Sequence, residues 1–237
     1  MTSPNDKDQQ PEGIDRRRLL LVLVIVPVYL ALFMFLPAGT WAWMKGWLFI
    51  SAFLGVMVVV ALYLWRVNPE VVVARSRSHK GTKRWDKILL WFFLPAVYAI
   101  VPVAALDDGR FQCFPLPWWV CGIGYALFLL GTAILTRAEA VNKFFEPTVR
   151  IQTDRGHKVI DIGPYAIVRH PGYVAALFFM AGVALALGSL WALVPAGLSC
   201  VLLILRTHWE DQTLQTELAG YKEYTERVRY KMIPGVW

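Results

Sequence analysis

Residues 173–211 read YVAALFFMAGVALALGSLWALVPAGLSCVLLILRTHWED. Two apolar runs, Tyr173–Leu187 and Leu190–Leu205, are parted only by Gly188-Ser189, and the second ends abruptly in charge at Arg206, Glu210 and Asp211. This is the signature of a helical hairpin whose two ends lie close together. At 1.5 Å per residue each run falls somewhat short of the ~30 Å hydrocarbon core of a bilayer, so the pair must extend into its polar flanks or thin the membrane around it. Taken alone it also fits a buried hairpin of a soluble protein.

The rest of the chain decides against a soluble protein. Upstream lie four longer apolar stretches, Leu19–Leu36, Gly46–Trp65, Ile88–Leu106 and Leu116–Thr136, each near the ~20 residues that a spanning helix needs. Of 237 residues 57% are hydrophobic and 17% charged, and the mean hydropathy is +0.47. The fold class expected is an all-α integral membrane protein of about six transmembrane helices. Charge gives an independent check. With six spans, the segments sharing a side with the termini are 1–18, 66–87, 137–172 and 206–237. They carry all the lysines and arginines except Lys45 and Arg110. The positive-inside rule then places both termini and the long loops in the cytoplasm. The net charge of +7 is explained by topology and by contact with anionic membrane lipids. No basic stripe interleaved with aromatics stands apart from a membrane edge, so no nucleic-acid partner is expected.

Residues 1–18 read as a polar cytoplasmic tail, disordered over its first dozen residues, and Arg16-Arg17-Arg18 as the flank of an uncleaved first helix. Residues 19–106 form three N-terminal spans with tryptophans near their ends, as interfacial anchors. The segment from Asn68-Pro69-Glu70 to Lys87 reads as a basic loop. Residues 107–237 form a C-terminal region with the more purposeful polar residues. There the fourth span is expected to run on as a helix through Lys143, with Glu139 and Lys143 four apart. Glu146-Pro147 breaks it, and Thr148–Asp154 is expected to be extended. Gly163-Pro164 is a turn, and Pro171 a helix start. After the last span Gly220 stops the helix, and Tyr221–Tyr230 forms a final amphipathic cytosolic piece. Cys113, Cys121 and Cys200 have no metal-ligand spacing and read as structural, so no metal is expected.

Three polar groups can converge at the hairpin mouth: the loop from His157 through Tyr165 to His170-Pro171-Gly172-Tyr173; Arg206 and Glu210, which share a helix face; and Arg150 with Gln152. Singly, each has a plain structural explanation as a turn, an interfacial charge or a surface ion pair. Together they suggest a pocket. Backbone N–H groups at a helix start suit an anion, and a glutamate with several tyrosines suits a cationic or planar ligand.

The pattern H-x-V-x-x-x-G-P-Y-x-x-V-R-H-P-x-Y, an apolar hairpin, then R-x-x-x-E-[ED]-x-x-L resembles the isoprenylcysteine carboxyl methyltransferase family, itself related to the phospholipid N-methyltransferases. The resemblance covers roughly residues 116–237. It implies methyl transfer from S-adenosyl-L-methionine, at the cytosolic face, to a lipophilic acceptor entering from the bilayer. It implies that His157, Lys158, Val159, Ile160, Gly163, Tyr165, His170, Pro171, Gly172, Tyr173 and Glu210 bind the cofactor, with Gln152 a further candidate, and that Arg206 faces the acceptor, such as a carboxylate. A carboxylate acceptor needs no general base, and the fork of Arg206 can hold it in bidentate fashion. Arg206 and Glu210 are the catalytic candidates. The sequence departs from the family pattern at Asp211, where a second glutamate is usual, and at Gly172, where a small polar residue is usual. The acceptor stays open between an isoprenylcysteine-type carboxylate and a phospholipid amine. An NADPH-dependent sterol-type reductase is a rival of another class, although such reductases usually have more spans. A transporter is disfavoured, because its polar groups would lie near the bilayer midplane. The short loops fit a bacterial inner membrane, or the endoplasmic reticulum membrane in a eukaryote.

Overall fold

A computed structural model describes residues 16–76 and 81–237. The expected disorder of the first dozen residues falls outside this range. The elements are α1 (Arg16–Ala38), α2 (Met44–Val67), α3 (Pro69–Ser76), α4 (Arg84–Ala104), a π-helical segment (Ala105–Phe111), α5 (Trp118–Val141), 3-10 turns at Thr153–Arg155 and Gly163–Ala166, α6 (Pro171–Ala186), α7 (Leu193–Glu217) and α8 (Tyr221–Arg227). No strand occurs among the described residues.

Among the described residues, three helices are long and apolar enough to cross a membrane: α2, the continuous Arg84–Phe111 helix, and α5. The described apolar part of α1 (Pro27–Ala38) and α6 are shorter, and α7 carries charges along its C-terminal half. Large apolar side chains stand exposed on the outer faces, among them Val59, Leu62, Trp91, Phe92, Trp119 and Leu129. Such a surface suits hydrocarbon rather than water.

Several local expectations need correction. Arg16–Arg18 belong to the first turn of α1, not to a tail. The basic loop contains α3, which begins at Pro69, a residue preset for the first helical position. α5 ends at Val141, before Lys143, with the Asn142 N–H donating to the Ala138 carbonyl. Glu139 therefore pairs with Arg75 on α3 rather than with Lys143. Thr148–Asp154 is irregular and holds a 3-10 turn, not a strand. Pro171 does start α6, and Gly220, at φ +80°, separates α7 from α8.

The tightest packing joins α5 and α6. A Cβ built on Gly124 would lie 2.1 Å from the Ala186 nitrogen, one on Gly182 2.3 Å from the Phe128 nitrogen, and one on Gly131 2.6 Å from the Ala175 carbonyl. Only glycine lets the two backbones approach so closely, as in small-residue helix interfaces within membranes. Around this seam Phe128, Met180, Ala184, Phe49 and Ile100 form the main core.

The two ends of the bundle are polar. At one end Lys45 Nζ donates to Asp108 (2.6 Å) and to the Leu116 carbonyl, while Trp43 Nε1 also donates to Asp108. Ser189, in the α6–α7 turn, donates to Asp107 at 2.6 Å. These bonds tie the π-helical segment to the hairpin tip. The other end begins α4 at Asp86. The 21 residues of α4 separate the two clusters by about 32 Å, the thickness of a hydrocarbon core.

Candidate functional site

At the Asp86 end, where α6 starts and α7 emerges, lies a cavity of about 330 Å³, within the size range of small-molecule sites. It is walled by α4, the end of α5, the loop 144–173, the start of α6, and faces of α7 and α8. Gln152, His157, Lys158, Val159, Ile160, Tyr165, His170, Pro171, Gly172, Tyr173, Arg206 and Glu210 all line it. Gly163 does not. It opens the 3-10 turn at φ +60°, facing Val141, and its role is to deliver Tyr165.

The loop is held by its own polar groups. Gln152 is buried, its amide donating to the Phe144 carbonyl (2.6 Å) and accepting from Arg155 (2.8 Å). It braces the wall, and both ends of its amide are engaged. The His157 ring packs against Phe144 at 4.7 Å, and its Nδ1 accepts from the Gln152 N–H. Burial holds the His157 pKa down to about 4, with Glu146 opposing and Arg150 and Arg155 adding to the shift. The imidazole is neutral at pH 7. Tyr165 is buried, accepts from Asn142 at 2.9 Å and is pushed up in pKa chiefly by that burial. Its carbonyl accepts from Tyr224 at 2.7 Å, which clamps α8 onto the loop.

Asp211, fully buried, organises the floor. It accepts two bonds from Arg169 (2.8 and 3.1 Å), one from Tyr221 (3.1 Å) and one from Gln215 (2.8 Å), and lies 3.3 Å from His170 Nε2. Burial alone would raise its pKa, but the bonds to His170 and Arg169 hold it well below the usual carboxylate range. Arg169 also donates to the Val228 and Arg229 carbonyls, so it is a structural tie rather than an interfacial charge. The His170 ring stacks on Tyr173, with centroids 5.6 Å apart.

Arg206 and Glu210 share the cavity but are not tied into a surface pair. Arg206 Nε donates to Asp86 Oδ1 (2.8 Å), and Nη2 donates to Asp86 Oδ2 (3.3 Å) and to the Pro147 carbonyl (2.8 Å). Its guanidinium lies over the Tyr173 ring at 5.6 Å, and the Tyr173 hydroxyl donates to Glu210. The bidentate grip on an acceptor carboxylate must therefore be corrected. Both Nε and Nη2 are taken, leaving Nη1. Asp86 was missed in the sequence. Its one signal was that it is the sole acidic residue between Glu70 and Asp107, set in the first turn before an apolar run.

The charge balance of the walls is uneven. Among the described residues, the lining arginines are ion-paired: Arg75 with Glu139, Arg150 with Glu146 and Asp154, Arg169 with Asp211, Arg206 with Asp86. Among the described residues, Glu210 has one hydrogen bond, from the neutral Tyr173 hydroxyl, and no salt bridge; Arg206, one turn back, acts on it only through space. A half-buried carboxylate left so is a receptor for a cation.

Residues 119–219 match the family model described as phospholipid methyltransferase. Over 70 residues the chain is 31% identical to protein-S-isoprenylcysteine O-methyltransferase B of Arabidopsis thaliana, a match covering 27% of this chain and 34% of that protein. The chain thus spans about a third of the length of this relative. The matched family segment holds α5 to α7, with the loop, Arg206 and Glu210; α1 to α4, including Asp86, lie outside it.

Proposed function

We propose that this chain is an integral membrane methyltransferase that uses S-adenosyl-L-methionine and methylates a lipophilic acceptor at the cytosolic face of a six-span bundle. The observation that carries this is the Glu210 carboxylate, hydrogen-bonded to Tyr173 and in no salt bridge among the described residues, beside a set of neutral, flat side chains: Tyr173, Tyr165, His157 and Phe144. These residues fit a ligand that combines a positive charge with planar rings. Bound there, S-adenosyl-L-methionine supplies a methyl group already activated by a sulfonium, so the protein need only orient the partners and exclude water.

In this reading Glu210 balances the sulfonium charge, with Tyr173 fixing the carboxylate. His157, Lys158, Val159 and Ile160 line the cavity from the loop, and His170, Pro171 and Gly172 line it from the start of α6. Gly172 has no side chain because a Cβ there would stand 2.7 Å from the Phe145 ring; Phe145 can then close the cavity against water. Leu90, Phe93 and Leu94 of α4 form an apolar side suited to the hydrocarbon portion of an acceptor entering from the bilayer. Arg206 Nη1 is the group available to an acceptor oxygen, such as the carboxylate of an isoprenylcysteine. The neutralisation of Arg206 by Asp86 favours a second reading, a phospholipid amine acceptor, because no unpaired arginine on these walls repels an ammonium group.

Titration calorimetry tests the cofactor assignment. Wild type should bind S-adenosyl-L-methionine, and Glu210→Gln should weaken binding at least tenfold with unfolding temperature preserved. Equal affinity in the variant would refute the role of Glu210. A labelled-methyl assay on membrane lipid extract, scored for base lability of the product, separates an ester from a methylated amine.

A further inference from the structure

The geometry points to Asp86 as a specificity-determining positioning residue, one that reserves Glu210 for a cationic ligand by holding Arg206 away from it. The inference rests on the cofactor reading above and concerns a residue outside the family-matched segment 119–219. Arg206 and Glu210 lie four residues apart on α7, one helical turn, at the spacing where opposite charges ordinarily pair. Arg206 is only 6% exposed. With no other counter-charge, its guanidinium would turn to Glu210 and the pocket would hold a closed, neutral pair.

Asp86 prevents this. It is fully buried in the first turn of α4. Its two oxygens take the Nε and Nη2 edge of Arg206, and Oδ2 also accepts the Val149 N–H at 2.7 Å. The Lys83 N–H returns a bond to the Val149 carbonyl at 3.0 Å, so the start of α4 and the loop at Val149 are locked to each other. The Pro147 carbonyl completes the Nη2 bonds. Arg206 is thereby held over Tyr173, ion-paired with Asp86 and acting on Glu210 only through space. The Asp86, Arg206 and Glu210 set carries one net negative charge, which favours a sulfonium over the neutral thioether left once the methyl group has gone. The same device therefore favours donor binding and product release.

The test compares the affinities of S-adenosyl-L-methionine and S-adenosyl-L-homocysteine by titration calorimetry on the full chain in lipid nanodiscs. The two ligands differ in charge at sulfur, so their affinity ratio reports the electrostatics of the site. Asp86→Asn keeps the shape and an acceptor for Val149 but leaves Arg206 unbalanced. It should lower the ratio of donor to product affinity by roughly tenfold or more, given an effective dielectric near 20. Arg206→Gln should raise the ratio, and Asp86→Asn with Arg206→Gln should return it to within about threefold of wild type. If one single variant fails to fold, the other alone carries the test, because a merely structural Asp86–Arg206 pair would change both affinities equally. Equal changes for both ligands, or no change, would overturn the inference and leave Asp86 a structural residue. Wild-type protein that binds neither ligand would overturn the cofactor reading itself, and this inference with it.

Discussion

Gly122 and Gly124 stand two residues apart in α5, yet they should respond to the same substitution with opposite sign. A Cβ on Gly122 meets nothing within 4 Å, whereas one on Gly124 would lie 2.1 Å from the Ala186 nitrogen and 2.5 Å from the Leu185 carbonyl carbon. Both neighbours are backbone, so no side chain can rotate aside. Relief requires α5 and α6 to separate by about 1 Å, and overpacking of this kind costs about 1–3 kcal/mol. Alanine returns up to about 1 kcal/mol of helix propensity at either site. Gly122→Ala should therefore be neutral or stabilising by up to about 1 kcal/mol, and Gly124→Ala destabilising by about 1–2 kcal/mol. Thermal unfolding of both variants in the same lipid nanodiscs, followed by tryptophan fluorescence, measures the difference directly. If Gly124→Ala proves as stable as Gly122→Ala, the close α5–α6 approach is wrong, and so is the account of how α6 is held against the site.

Asp211→Asn should lower stability by about 3–5 kcal/mol, since it strands the buried Arg169 guanidinium; a melting temperature equal to wild type would show that the Asp211 network is not a support of the floor. Acidification should destabilise the protein through His157. Its folded pKa of about 4 lies below the unfolded value near 6.5, so its contribution is complete above pH 6.5 and is lost as pH falls from 6.5 to 4. At this half-buried site the loss should be about 1–2 kcal/mol after solvent screening. His157→Phe should flatten that limb of a stability–pH curve. Asp211, with its depressed pKa, adds a separate loss only below about pH 4.

Much of the site was legible in the chain because it is local. The helix start at Pro171, the Gly163 turn and the spacing of Arg206 and Glu210 are properties of short segments, and a hairpin necessarily brings its two ends together. The family pattern lies in those same segments, and the match over 119–219 agrees with it. The ends of elements were less legible. α5 stops at Val141 and α3 forms within a run of basic residues, and Glu139 and Arg75 pair across space, a contact with no local signature.

By itself the sequence determined that this protein is helical and apolar, where its charges collect, and which polar loop meets the hairpin mouth. Those facts follow from period, length and composition. Tertiary structure alone decided which charges cancel. Arg206 turns to Asp86, 120 positions earlier, rather than to Glu210 one turn away, because packing of α4 against α7 buries both partners with a fork-shaped fit. That choice leaves Glu210 with no salt bridge among the described residues, and no spacing along the chain could have revealed it.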